Sequence, residues 1–529
     1  MGMYLNPGYR GFQTIRNGIY VDKTGLIDYV NSTINTPQKL TCFSRPRRFG
    51  KSFAAKMLCA YYDKGCDSRF LFDDLEISKK KSFNEHLNKY DVIYLDITWF
   101  ISTTETLRNA VNDIQDSVIS ELQNKFFDLV PKDERSLPRV LSAIAEKSGN
   151  QFIIIIDEWD ALFREVKEDE ALQKEYVQLL RGLFKGGTTT DETIAAAYMT
   201  GILPIKKYGT ESALTDFQEY TMTRPAKLAE YVGFTESEVK ELCNEYDMEF
   251  EQMSAWYDGY FFNRIKHVHN PNSVMKAVNN EEFANYWANS ETYESLKHYI
   301  SMNYDGLKDS ILLMLGGEQA KVAINTFQND ITSFKNKDDI LTLLIHLGYL
   351  GYDAKTQKAF IPNQEVTDAF ADAVKEDDWK EVGDLIQESE DLLEATIHGD
   401  SEAVAAALEK IHNLNSSVLQ YNNEASLRSA IMIAYYTARR IYKIVPEFPQ
   451  GKGFADLAFL PGKYTDKPAM IIELKYEKNA DTAIRQIHEN RYDGNLKKYF
   501  GNLLLVGINY DKDAKGANTK RHSCIIKKA

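Results

Sequence analysis

Gly50, Lys51 and Ser52 close the segment RPRRFGKS, which begins at Arg45. A glycine that frees the backbone, a lysine that answers phosphate charge and a hydroxyl that can ligate magnesium are the groups a phosphate-binding loop needs, if a strand enters the loop and a helix leaves it. The apolar run QKLTCF precedes this segment and a helical pattern follows from residue 52, so the context fits. Arg45 stands where such loops usually begin with glycine, and Arg47 and Arg48 offer further cations to a phosphate. A Gly-Lys-Ser alone is more often a basic turn before a helix; a second element decides between the two. Phe152 to Ile156 form an unbroken apolar run, suited to a strand buried on both faces, and the run ends in Asp157, Glu158, Trp159 and Asp160. Asp157 is placed to hold magnesium and Glu158 to orient or deprotonate an attacking water. Thr200, at the end of the next apolar run, could sense the terminal phosphate, with a buried threonine satisfied by backbone as the equal alternative. ATP and Mg2+ are the expected cofactors.

A second constellation lies near the other end. Asp456 occurs in GFADLAFL, and Glu473 and Lys475 in AMIIELKY, with Pro461, Gly462 and Asp466 in the turn between them. Side chains alternate along a strand, so Glu473 and Lys475 share a face that Asp456 can reach from the partner strand. Two carboxylates can bind the hard cation that phosphodiester hydrolysis requires, and Lys475 can orient the nucleophile or stabilise developing charge. Mg2+ is expected here too, with Mn2+ as a substitute.

The elements that must position these groups follow from periodicity. Strands are expected over 38–43, 92–97, 152–156 and 194–201, with helices such as 52–63 and 105–126 between them, which describes a parallel sheet covered by helices. From about 223 to 375 the pattern is mainly helical, with strand-like stretches near 349–361. The final portion reads as helix 424–442, hairpin strands 454–460 and 468–476, helix 480–498 and strand 502–509. Between these halves, Glu376 to Glu409 carries twelve acids, whereas Lys475 to the end holds twelve Lys and Arg against six Asp and Glu. The overall charge is −14, so the basic tail is the part suited to nucleic acid.

The 529 residues call for several cores. The five cysteines show no CxxC pair, which argues against structural zinc or a disulfide framework and points to a reducing cytoplasm. No run approaches the ~18 apolar residues of a membrane span, and the opening residues lack a signal-peptide pattern. Gly2 suggests myristoylation, but Asn6 stands where Ser or Thr is needed.

With these motifs in place, the chain resembles bacterial and archaeal proteins described as predicted AAA-ATPase-like, fused to a PD-(D/E)XK nuclease-superfamily domain. The resemblance runs through Tyr20-Val21-Asp22-Lys23-Thr24, the loop from Ser44, the IIIIDE strand, Thr200-Gly201 and Gly233-Phe234-Thr235. It continues through Trp256-Tyr257-Asp258-Gly259-Tyr260, Asn270-Pro271, Tyr286-Trp287, Gly348-Tyr349-Leu350 and Ile361-Pro362-Asn363. It departs where Ser212, Ala213 and Leu214 lead into Thr215 and Asp216 instead of an Asn-rich stretch. The resemblance implies ATP binding and a nuclease fold, a further acid from Glu424 on the preceding helix, and Gln486 and Tyr492 near that site. The expected fold is α/β and multidomain. Residues 1–222 form an AAA-like P-loop ATPase, 223–300 a helical lid, 301–375 a helical or winged-helix-like unit, 376–416 an acidic helical connector, and 417–529 a restriction-endonuclease-like PD-(D/E)XK domain. The function expected is ATP hydrolysis controlling a metal-dependent phosphodiesterase acting on DNA or RNA, with no membrane partner and with a homo-oligomer left open. The competing class is a signalling or scaffold ATPase whose nuclease fold is silent and used for binding.

Overall fold

The computed structural model describes residues 2–529 apart from 167–168, 206–213, 263–264, 288–291, 303, 328–333, 375–379, 415–423, 451–452, 463–464, 490–498, 500, 513 and 515–520. At a few helix and strand positions, Glu424 among them, the description stops at the backbone. The chain divides into two compact units: Met1–Ala284 with Val322–Gln357, and Asn285–Lys321 with Lys358–Ala529.

The first unit is organised by five parallel strands, β1 (Leu40–Ser44), β2 (Asp91–Asp96), β3 (Phe152–Asp157), β4 (Ile194–Gly201) and β5 (Gln218–Tyr220), in the order β2-β3-β4-β1-β5. Every residue of β1, β3 and β4 is buried, as the unbroken apolar runs require of strands covered on both faces. Helices α1 (Lys51–Tyr62), α2 (Ala110–Lys125), α3 (Leu137–Ser148) and α4 (Glu170–Phe184) connect or flank these strands. Ile114, Val118, Leu141, Ile144, Leu180 and Leu183 from their apolar faces enter one core with Ile154 and Ile156. The helix expected from 105 begins only at Ala110, after a 3-10 turn over Leu107–Asn109. The parallel register pairs Phe43 with Thr200 and Ile156 with Met199, so β1, β3 and β4 all end along one edge. Ligands bind at that edge in open α/β sheets.

Beyond β5 the first unit is less purely helical than the pattern suggests. Helix Glu236–Glu245 begins at a Thr235/Glu238 capping box, and helix Phe250–Tyr257 follows. Strands Phe234–Thr235, Tyr260–Phe262 and Ile265–His269 form a small antiparallel sheet around them. Aromatic, β-sheet-favouring Tyr260-Phe261-Phe262 after Gly259 at φ 113° ended the helical period there.

The second unit is organised by β6 (Tyr442–Gln450), β7 (Gly453–Pro461), β8 (Ala469–Tyr476), β9 (Leu503–Tyr510) and β10 (His522–Lys528), adjacent in sequence order. β8 and β9 are parallel and the other pairs antiparallel. Helix α5 (Glu424–Ala434) precedes this sheet and α6 (Ala480–Glu489) crosses from β8 to β9. The helix expected to run to 442 stops at Ala434 and passes through a 3-10 turn over Tyr436–Arg440 into β6, whose Pro446 and Pro449 suit an edge strand. The remainder of the helix expected over 480–498 lies outside the described residues. The acidic stretch folds as helices Lys380–His398 and Ser401–Leu414, separated by Gly399 at φ 80°. The second of these helices fastens to β10: Glu409 accepts from the Arg521 amide and from His522 Nδ1 at 2.8 Å, and Ser401 Oγ accepts from the Ile526 amide. Among the described residues no helix is long and apolar enough to cross a membrane.

Gly507, paired with Glu473 across β8 and β9, lies under α6. A Cβ there would stand 2.7 Å from the Ala480 carbonyl oxygen and 3.0 Å from Ala483 Cβ. Gly507→Ala is therefore expected to destabilise the C-terminal unit by about 1–3 kcal/mol, read as a lower unfolding midpoint for its transition. An unchanged midpoint would show that α6 does not rest on this strand.

Candidate nucleotide site and candidate hydrolytic site

The loop between β1 and α1 turns on Gly50, whose φ of 90° only glycine adopts without strain. Lys51, the first residue of α1, is buried; its ammonium donates to the Pro46 carbonyl at 2.9 Å and lies 3.3 Å from Glu158 Oε1. Lys51 and Glu158 thus bring two segments about a hundred residues apart in sequence side chain to side chain, and the Ser52 hydroxyl lies close enough to the Asp157 carboxylate to lower its pKa. Thr200 donates to Asp157 Oδ1 and accepts from the Glu158 amide at 3.3 Å. β4, which lies between β1 and β3, supplies it at the common edge. Burial pushes the Asp157 carboxyl above the usual carboxylate range, and Ser52 and Thr200 recover only part of that shift.

Arg45 takes no part in this edge. Its guanidinium is fully buried, donates to the Ser44 and Tyr220 carbonyls at 3.0 Å each, and lies 4.6 Å from the centre of the Phe262 ring. Burial lowers its pKa to about 9. An arginine replaces the usual first glycine because the side chain is turned into the core, where it clamps β1, β5 and the small sheet. Arg47 is half-buried and adds positive charge near Glu158, while Arg48 is exposed and adopts φ 69°.

Glu158 also adopts a left-handed conformation, φ 52°, at the turn after β3. Its Oε2 accepts from Arg164 Nη2 at 2.5 Å, and Arg164 Nε lies 3.2 Å from Asp160 Oδ2. Asp160, almost fully buried, accepts in turn from the Ile202 and Leu203 amides at 3.0 and 2.8 Å, just beyond Thr200. Burial would raise the Glu158 pKa, but Lys51, Arg164 and Arg47 outweigh it and leave the group below its ordinary value. Arg164 was not singled out from the sequence; the signal for it was its i,i+4 spacing from Asp160 on a short helix. Ser212 and Ala213 lie outside the described residues.

In the second unit, Leu457 pairs with Ile472, and the same register carried one step on sets Asp456 opposite Glu473. Asp456 Oδ2 accepts from the Leu474 amide at 2.8 Å, and Lys475 Nζ donates to Glu473 Oε1 at 2.9 Å. Both Glu473 and Lys475 are buried. Burial raises the Glu473 pKa; Lys475 opposes this and the charge of Asp456 adds to it. The structure thus brings Asp456, Glu473 and Lys475 together.

Glu424 is the first residue of α5. One turn along that helix, Arg428 reaches Glu447 at 2.9 Å, and Glu447 lies on β6 between the residues paired with Leu457 and Ala455, level with Asp456. Gln486 lies on α6, partly exposed, and Tyr492 is outside the described residues. Among the described residues no three His, Cys, Asp or Glu side chains gather as a metal cage. Asp456 and Glu473 therefore suit a hard cation that completes its shell with water and phosphate oxygens, the habit of magnesium.

Residues 7–210 match the family model of a predicted AAA-ATPase, and residues 422–519 match that of the PD-(D/E)XK nuclease superfamily. A curated relative, the uncharacterized protein in the vnfD 5'region of Azotobacter chroococcum mcd 1, is 21% identical over 308 residues. The match covers 54% of this chain and 54% of that protein, so the chain spans about half the length of the curated relative. Among solved structures, C. elegans PCH-2 is similar at 16% identity and TM-score 0.21, covering 49% of this chain and 56% of that one. AMPPCP-bound DnaA from Aquifex aeolicus is similar at 10% identity and TM-score 0.25, covering 80% and 89%. The fold assignment rests on the strand order and on the two family matches.

Removing Arg164 would leave Glu158 and Asp160 buried with one cation fewer. Arg164→Ala is expected to cost about 3–5 kcal/mol in the unfolding of the first unit, and Asp160→Asn in that background to recover part of it. Denaturant titration of Arg164→Ala, Asp160→Asn and the double variant checks this; additive losses would separate the two residues.

Proposed function

We propose that this chain, which joins an AAA-ATPase-like domain to a PD-(D/E)XK nuclease-superfamily domain, binds and hydrolyses ATP at Lys51, Ser52, Asp157 and Glu158. In the same reading it cleaves nucleic-acid phosphodiesters at Asp456, Glu473 and Lys475 under the control of nucleotide state. The observation that carries this reading is the 3.3 Å ion pair of Lys51 with Glu158, because it joins the phosphate loop to the acidic strand end at the sheet edge where β1, β3 and β4 terminate.

At the nucleotide site, the amides at the start of α1 and the Lys51 ammonium would receive the phosphates, Lys51 exchanging the Pro46 carbonyl for a terminal oxygen. Ser52 and Asp157 would hold Mg2+. Glu158, kept ionised by its neighbouring cations, would accept the proton of the attacking water. Thr200 fixes Asp157 and the Glu158 amide together and so links the strand that could sense the terminal phosphate to both acids.

At the second site, Asp456 and Glu473 would hold Mg2+ or Mn2+, which when bound polarises the phosphoryl oxygen and acidifies a water. Lys475, already paired with Glu473, would meet the charge that develops on the phosphoryl group. Glu424 on α5, Gln486 on α6 and Tyr492, which the family resemblance brings to this site, belong to the same proposal. Domain limits at 222, 300, 375 and 416 belong to the same proposal, as do a cytoplasmic location and a homo-oligomer. The excess of Lys and Arg after Lys475 supports DNA or RNA as the substrate.

ATP turnover and cleavage of DNA and RNA, measured on the same preparations with Mg2+ or Mn2+, test the reading. Lys51→Ala is expected to weaken ATP binding at least about tenfold, and Glu158→Gln to keep binding while slowing hydrolysis about 100-fold or more. Asp456→Ala and Glu473→Ala should each abolish cleavage and leave ATP turnover unchanged, and Lys475→Ala should slow cleavage without loss of metal binding. A wild type that turns over ATP but cleaves nothing would favour a binding role for the C-terminal domain.

A further inference from the structure

Phe454 stands two residues before Asp456 on β7 and, by strand alternation, on the same face. β7 is an interior strand, flanked by β6 and β8. Farther along, its Ala458 is packed into a core with Ile471 of β8 and Ile484 and Ile487 of α6. That cover does not extend to Phe454, which is 63% exposed, while Glu473 and Lys475 are 2% and 5% exposed. Regular pairing of β7 with β8 runs only from Leu457 to Phe459; beyond it the Leu474 amide turns to the Asp456 carboxylate. β7 thus carries a large exposed aromatic ring at the start of the strand, where its pairing with β8 has ended, two residues before the carboxylate that meets the Leu474 amide. A lone exposed aromatic on a surface loop needs no explanation. One on an interior strand, about 7 Å along the backbone from a proposed metal ligand, forgoes burial worth roughly 2 kcal/mol.

We propose that Phe454 is a stacking platform for an unpaired nucleobase adjoining the phosphodiester held at Asp456 and Glu473, so that the C-terminal domain takes single-stranded rather than closed duplex nucleic acid. The inference rests on the hydrolytic reading of that site for its location, and on the ring's exposure for its chemistry. Stacking on an aromatic side chain contributes about 1–3 kcal/mol per base and tolerates any base, because every base has a π-face. Bases inside a duplex are already stacked on one another and reach the ring only if flipped or frayed. The basic residues after Lys475 supply backbone attraction that both forms share, so Phe454 is what separates them.

Binding of the full chain to fluorescein-labelled oligothymidylate, oligouridylate and a duplex of equal length, followed by anisotropy in EDTA so that nothing is cut, tests the proposal. Phe454→Ala is expected to weaken single-strand binding about tenfold and duplex binding less than about twofold. Phe454→Trp should retain the wild-type preference and Phe454→Leu should resemble Phe454→Ala, which separates stacking from apolar contact. The two single-strand arms tell whether the sugar matters. Wild-type binding by Phe454→Leu, equal weakening for duplex and single strand, or no single-strand binding by the wild type would each overturn the platform. Single-strand binding that depends on Phe454, in a protein that cleaves nothing, would retain the platform and remove the hydrolytic reading.

Discussion

A carboxylate withdrawn from water must be answered by positive charge or by donated hydrogen bonds, and the two candidate sites are built around that requirement. Asp157, Asp160 and Glu473 are nearly or fully buried, each in or just after a strand. Asp157 is answered by the hydroxyl of Thr200, Asp160 by two backbone amides and Arg164, and Glu473 by Lys475. The Thr200 hydroxyl and the Ile202 and Leu203 amides come from distant parts of the sequence, so the first sheet must form in register before Asp157 and Asp160 are satisfied. The strand order β2-β3-β4-β1-β5 serves this directly: β4 puts Thr200 between the loop that leaves β1 and the acids that leave β3. In the C-terminal unit the antiparallel hairpin of β7 and β8 does the same for Asp456 and Glu473. Asp157 and Glu473 nonetheless keep pKa values above their ordinary ones, which is the state expected of acids that a cation would complete.

How much of this was legible in the sequence depended on whether a signal was local. Phe152 to Ile156 could be read as a strand because five apolar residues in a row bounded by acids have few other uses, and 194–201 matches the observed β4. The hairpin carrying Asp456, Glu473 and Lys475 was legible through alternation, which also predicted their shared face. β6 was hidden because Tyr442–Gln450 carries two prolines and joins a helix with no clear stop, and β10 because a short mixed segment, HSCIIKK, declares itself only when β9 is beside it. The small sheet around Tyr260 was hidden for the same reason. Arg164 and Phe454 have ordinary surroundings in the sequence. One matters through two long-range charges and the other through what fails to cover it, and neither property is written in local pattern.

The acidic stretch of the second unit shows how charge runs are used. Read by composition it is a solvated face, but its second helix also serves as a fastening: Glu409 gathers the Arg521 and His522 amides and the His522 ring, whose pKa burial lowers to about 4. Ser389 and Thr396 of its first helix hydrogen-bond Thr437 and Tyr435 just before β6. The C-terminal sheet is thereby braced by the acidic helices at both its first and last strands.

Two cation sites with separate owners are the central claim, and counting bound Mn2+ by electron paramagnetic resonance tests it most directly. With a non-hydrolysable ATP analogue the account predicts two classes of bound ion per chain: one that appears only with the nucleotide and is lost in Asp157→Asn, and one that is present without it and is lost in Glu473→Gln. A single class, or two classes lost together in either variant, would contradict it.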